Sequence, residues 1–130
     1  MATMQVEVVS AEKQLFSGEA KELYARALDG EIGIMPGHQP AVIALDIGPV
    51  NIRFEDGTNE RIAVHNGFLY VGRDKTIVLA DTAELASEID TARAEAKVRE
   101  LEQKLDREED ASLRSSLAKA RLRVDVATRA

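Results

Sequence analysis

Apolar and polar residues alternate in short bursts through the first two thirds of the chain and then change period. Met4, Val6 and Val8 alternate with Gln5 and Glu7, and Val50, Ile52 and Phe54 alternate with Asn51 and Arg53. A period of two puts one face of a strand in a core and the other in water. Asp56-Gly57 is a hairpin signal, after which Arg61-Ile62-Ala63-Val64 returns. Gly67–Val71 and Thr76–Ala80 flank the polar turn Arg73-Asp74-Lys75, and Ile32–Ile34 and Ala41–Leu45 add two further strands. Ala20–Leu28 has helical propensity, but Leu23, Ala25 and Ala27 alternate with charged or aromatic neighbours, so it reads as strand. Short strands at this spacing predict a sandwich or flattened barrel.

From residue 86 the apolar spacing becomes helical. Ala94, Val98, Leu101 and Leu105 make one stripe, and Leu113, Leu117, Ala120, Val124 and Ala127 make a second. Ser87 followed by Asp90 reads as a capping box at the start of the first helix. The charged run Asp106–Asp110 between the stripes suits an exposed connection, so the two predict an antiparallel helical hairpin. Composition sharpens the boundary. All eight Gly, all three Pro and every aromatic precede residue 73. Gly and Pro punctuate β structure, and a stretch without them that is rich in Ala, Leu, Glu, Lys and Arg favours helix. The chain therefore divides into a β domain over residues 1–85 and a helical hairpin over residues 86–130. Charge follows the same division. Residues 1–85 carry 13 acids and 7 bases, whereas residues 86–130 carry 10 of each. Within the hairpin, residues 86–110 hold 9 acids and 5 bases, and residues 111–130 hold 1 acid and 5 bases. Two oppositely charged helices attract weakly and in a salt-dependent way. A hairpin with so little core depends on packing and can dock or undock at small cost.

Reactive chemistry is sparse. The absence of Cys rules out disulfides, thiolate metal sites and a cysteine nucleophile. His38 and His65 are 27 positions apart, with no ligand-spaced partners, so neither a metal site nor a catalytic pair is expected. Gly30–His38 is glycine-rich but lacks the Gly-Lys-Ser/Thr of a phosphate cradle and reads as a turn-rich connection. The acidic run Glu108–Asp110 reads as a solvated loop. Asp90 and Arg93 share a helix face and predict a local ion pair. The net charge of −6 argues against sequence-independent nucleic-acid binding. No apolar run approaches the roughly 20 residues of a membrane span, and the first residues do not read as a signal peptide.

Several motifs together carry a family resemblance. Val8–Glu12 with Phe16-Ser17-Gly18, Gly30–Pro40, Val64–Leu69, Leu79–Glu84 and Ile89-Asp90-Thr91-Ala92-Arg93-Ala94 resemble, in order, the motifs of the epsilon subunit of F-type ATP synthases. The family more often has two Gly where His65-Asn66-Gly67 stands. The resemblance implies an α+β, mainly β fold, with an N-terminal ten-stranded β-sandwich followed by a C-terminal two-helix hairpin. It implies a non-catalytic part of the rotating central stalk that couples proton-driven ring rotation to ATP synthesis. The implied partners are the gamma subunit, the c-subunit ring and, through the hairpin, the alpha and beta subunits. Nucleic acid is not among them, and the membrane is reached only through the complex. The implied location is peripheral, on the cytoplasmic face of the bacterial plasma membrane. Glu31 and His38 resemble residues facing gamma and the c-ring.

The resemblance also implies regulation. In the family the hairpin can lie against the sandwich or extend towards the catalytic head and brake hydrolysis. Arg114, Lys119, Arg121 and Arg123 would then face acidic partner regions. In some bacterial members a regulatory ATP holds the folded hairpin. Glu84, Ile89, Asp90, Arg93 and Arg121 match positions of that site, but Glu100 and Leu117 stand where the family has arginines. A structural role for Asp90 and Arg93 is the alternative. Two function classes follow: a rotor-stalk coupling and inhibitory subunit, or a stand-alone β-sandwich sensor that binds ATP on its hairpin.

Overall fold

The computed structural model describes residues 2–128. Strands β1 (Met4–Ser10), β2 (Gln14–Ala20), β3 (Glu22–Ala27), β4 (Gly30–Ile34), β5 (Ala41–Arg53), β6 (Asn59–Val71) and β7 (Lys75–Leu85) precede helices α1 (Thr91–Leu105) and α2 (Ala111–Thr128). The strands form one sheet in the order β2-β1-β7-β6-β5-β3-β4, antiparallel throughout except for β1 against β7. The sheet folds over so that its two ends face each other across one core. Val6 and Val8 near one edge share a single core with Ile34 on the opposite edge strand, and with Leu23, Val50, Ile52, Ile62, Val64, Leu69 and Val78 between them. Burying each of these large aliphatic side chains contributes roughly 1.5–3 kcal/mol.

The described sandwich has seven strands rather than the ten expected. Three strands of 11 to 13 residues run through positions where the sequence signals a break. The β5–β6 and β6–β7 ladders skip a pair at one level, where Asp46, Asn66 and Asp81 lie, and then resume. Asn66 (φ 65°) and Gly67 (φ 140°) supply that irregularity. Gly48-Pro49 reads as a turn but lies inside β5, where the β3–β5 ladder is interrupted between Tyr24 and Ala27. Pro49 has no N–H to give that ladder, so it is tolerated there. An irregularity of this kind changes which face successive residues present. On β6, Ile62 and Val64 point into the core before it, and Leu69 and Val71 after it.

Strand β2 was not foreseen. Its face is poorly marked because it is an edge strand with mostly exposed or half-buried residues. The hairpin is docked on the outer side of β5 and β6. Leu122 and Val126 of α2 pack with Ala63 and Ile89, with Ile47 at the margin. Leu101, Leu117 and Ala120, bordered by Val98, Leu105 and Leu113, join the helices to each other. The expected stripe on α2 is thus only its α1-facing side. Leu122 and Val126 form a second apolar side that meets the sheet.

Candidate functional site

The outer side of β5, β6 and β7 has two ends separated by the irregular level. At one end α2 lies against Ile47 and Ala63. Two ion pairs lock this contact: Arg123 to Glu84 at 2.7 Å and Arg61 to Asp125 at 3.5 Å. Lys13 to Glu88 at 3.1 Å ties the β1–β2 turn to the base of the hairpin. The hydrogen bond from Lys13, aided by the Leu85 N–H, holds the Glu88 carboxyl below its ordinary range. His65, on the same side of β6, is half-buried, and burial pushes its ring below the usual imidazole range.

At the other end none of the described residues covers the strands. Val42, Phe68, Tyr70 and Leu79 are 46–67% exposed. They are neighbours across the ladders, with Val42 opposite Tyr70 and Phe68 opposite Leu79. Four large apolar side chains adjacent on a sheet face mark an interaction surface rather than scattered exposure. Sequence reasoning missed this patch. Gly67–Val71 carries no polar residue to mark an outward position, so the run reads as buried on both sides. That is itself the available signal, because a small sandwich strand apolar on both faces requires a second cover.

The residues expected at partner interfaces are dispersed. Glu31 is exposed on β4 and lines a cleft of about 440 Å³ beneath α2, with Arg26, Arg61 and Arg121. His38 lies in the β4–β5 connection, its Nδ1 2.7 Å from the Gln39 carbonyl, and lines a different cleft with Met4, Glu19 and Lys75. The helical cations expected to meet the catalytic head are held within the chain. Arg114 pairs with Glu109, Arg121 with Glu102 at 3.0 Å, and Arg123 with Glu84. Lys119 is half-buried beside His65.

The residues expected to hold ATP are engaged elsewhere. Asp90, not Ser87, caps α1: its carboxylate accepts the Arg93 backbone N–H at 3.1 Å. The contact between these two residues is therefore a cap rather than the expected side-chain ion pair, and such a cap contributes about 1 kcal/mol. Leu85 and Glu88 instead bracket a single 3-10 turn, Ala86–Glu88. Ile89 is buried under α2. Glu84 and Arg121 carry the ion pairs already described, and Glu100 bridges Lys97 and Lys104. The groove of about 420 Å³ between the helices is lined by Arg99 and Arg121, without Glu84, Ile89, Asp90 or Arg93. In this arrangement four of the five expected residues lie off that groove, and Arg121 alone lines it. Among the described residues no group of three or more His, Cys, Asp or Glu is placed to hold a metal, and no helix is long and apolar enough to cross a membrane.

Fold and surface together define a binding module: a β-sandwich with one bare apolar face and a helical hairpin folded beside it. Residues 3–86 match the family model for the ATP synthase delta/epsilon chain, beta-sandwich domain. The chain is 50% identical over 101 residues to the ATP synthase epsilon chain of Streptomyces avermitilis, covering 78% of this chain and 79% of that one. It is 46% identical over 105 residues to that of Brevibacillus brevis, covering 81% and 80%. The fold is shared with a chain in the cryo-EM structure of the Euglena gracilis mitochondrial ATP synthase OSCP/F1/c-ring (TM-score 0.74, 16% identity, 97% of this chain and 78% of that chain). It is also shared with one in the Tetrahymena thermophila mitochondrial ATP synthase central stalk/c-ring (TM-score 0.63, 14% identity, 98% of each chain). The chain belongs to the ATP synthase epsilon-chain family. Its role there is that of a non-catalytic subunit.

Proposed function

We propose that this chain is a coupling element of the central rotor stalk, whose sandwich binds the gamma subunit and rests on the c-subunit ring. The observation that carries this reading is the bare apolar patch of Val42, Phe68, Tyr70 and Leu79, on the end of the sheet that the hairpin leaves open. A rotor part needs a rigid platform and an interface, and this chain has both without an assembled reactive pocket. Gamma takes the patch, while Glu31 and His38, on separate clefts, serve the contacts nearer the ring. The chain then lies peripherally on the cytoplasmic face of the bacterial plasma membrane, attached only through its partners.

The hairpin is proposed as the brake on ATP hydrolysis. What supports this is the modest contact that holds it: a few apolar side chains and two ion pairs on an otherwise self-sufficient sandwich. Exposed and half-exposed pairs contribute little each, about 0–1 kcal/mol. Release of α2 from the sheet would free Arg123, and with it Lys119, for acidic regions of alpha and beta, beside Arg121, which stays paired to Glu102 within the hairpin. Arg114 completes that basic surface. The rotor reading is tested by co-purification: tagged full-length chain captures gamma, and the other head subunits follow. Failure to retain purified gamma would remove the reading.

A further inference from the structure

The outer side of β6 beneath α2 contains one group that neither the fold nor the partner surface uses. His65 stands opposite Ile47 of β5 and Thr82 of β7 in the ladders. Its Nε2 is buried with no hydrogen-bond partner among the described residues. The charged groups facing it are Glu84 from β7 and, from the docked helix, Lys119 and Arg123. Glu84 is the anion among them, and it is already ion-paired with Arg123: its Oε2 accepts from Nη2 at 3.2 Å and its Oε1 lies 2.7 Å from Nε. A proton on this ring would therefore add a third cation, half-desolvated, beside two others whose counter-charge is engaged.

From this we infer that His65 is a pH sensor of hairpin docking: α2 closes over the neutral ring, and protonation of the ring drives the hairpin off the sheet. The sign follows from linkage. Burial first, then Lys119 and, against the opposing pull of Glu84, Arg123 hold the ring's pKa down while the hairpin is docked. With the hairpin away the ring loses that cover and both helical cations while Glu84 stays beside it, so its pKa rises towards the ordinary imidazole value of about 6.5. The undocked state thus holds more protons, so docking is strongest above about pH 6.5 and is lost as pH falls below it. One such group shifts the docking equilibrium by up to about tenfold per pH unit. The inference needs only the docked geometry and does not depend on the brake.

The chain has no cysteine, so two introduced ones can carry spin labels: Thr58→Cys in the β5–β6 turn and Ser115→Cys on the exposed side of α2. Pulsed dipolar distances on the free full-length chain report docking, between pH 8 and pH 5.5 and so above the ordinary carboxylate range. The expected result is a docked distance at pH 8 and an undocked fraction that rises up to about tenfold between pH 8 and 5.5. In His65→Gln that rise disappears. In Lys119→Gln, which leaves the ring in place but removes a cation that depresses it, the rise is smaller, and this variant decides the matter if His65→Gln does not fold. An undocked fraction that is constant from pH 8 to 5.5, or that rises identically in the variants that fold, would overturn the inference. Since no catalytic head is present, a failure here leaves the rotor reading standing, and a failure to capture gamma leaves this result standing.

Discussion

Replacing Phe68 and Leu79 together with aspartate is expected to weaken capture of gamma by at least about 100-fold while leaving the sandwich folded. The two side chains face each other across the β6–β7 ladder and are each about half exposed. Two adjacent apolar anchors at the centre of a protein interface are typical hot spots, each costing roughly 2 kcal/mol or more when lost. Placing two carboxylates in a desolvated contact adds a further penalty. In the free chain both sites are half-exposed, and two opposed carboxylates on neighbouring strands are expected to cost about 1 kcal/mol, small beside the loss of binding. Titration of labelled gamma, beside thermal unfolding of the free variant, separates the two effects. Unchanged affinity in a folded variant would mean that gamma binds elsewhere.

The second large effect lies at the irregular level of the sheet. Gly67 sits at φ 140°, and a Cβ built on it would stand 2.1 Å from the Leu79 carbonyl oxygen and 2.8 Å from Ala80 Cα. Both contacts are backbone atoms of the neighbouring strand and cannot rotate away. Gly67→Ala therefore combines a backbone strain of about 1–3 kcal/mol with displacement of β7. A loss of at least about 3 kcal/mol is expected, or a fall in melting temperature of roughly 10–20 °C. An unfolding midpoint within a few degrees of the parent would show that the strands can part without cost. Because Phe68 follows directly and Leu79 is the residue struck, the variant should also disturb the partner surface.

These two positions show what could be read from the residues and what could not. Alternation in Met4–Val8 and Val50–Phe54, and the change of period after residue 85, mark the strands and helices because a polar residue stands at each wet position. The long strands were harder to see. Gly48-Pro49 and Asn66-Gly67 are turn residues by every local criterion, yet here they relieve a close approach to Arg26 and a skipped ladder pair within continuous strands. Only the neighbouring strand's position makes that use visible. Arginine and aspartate spacing on α1 identified Asp90 and Arg93, but not that the carboxylate would turn to a backbone N–H. The second apolar side of α2 is thin, consisting of Leu122 and Val126, and is obscured by Arg121, Arg123 and Asp125 between and beside them. Those charges are near the sheet because they pair with it: Arg123 reaches Glu84 and Asp125 reaches Arg61.

In the proposed function the sandwich is the platform for a rotor partner, and the hairpin is held to it lightly enough to leave. Its most direct test is ATP hydrolysis by the reconstituted complex carrying either the full chain or one ending at Leu85, at low and high ATP. The truncated complex is predicted to hydrolyse ATP faster, with the complex intact because the patch and the sandwich core remain. Equal hydrolysis by the two intact complexes would contradict the claim that the hairpin is a brake.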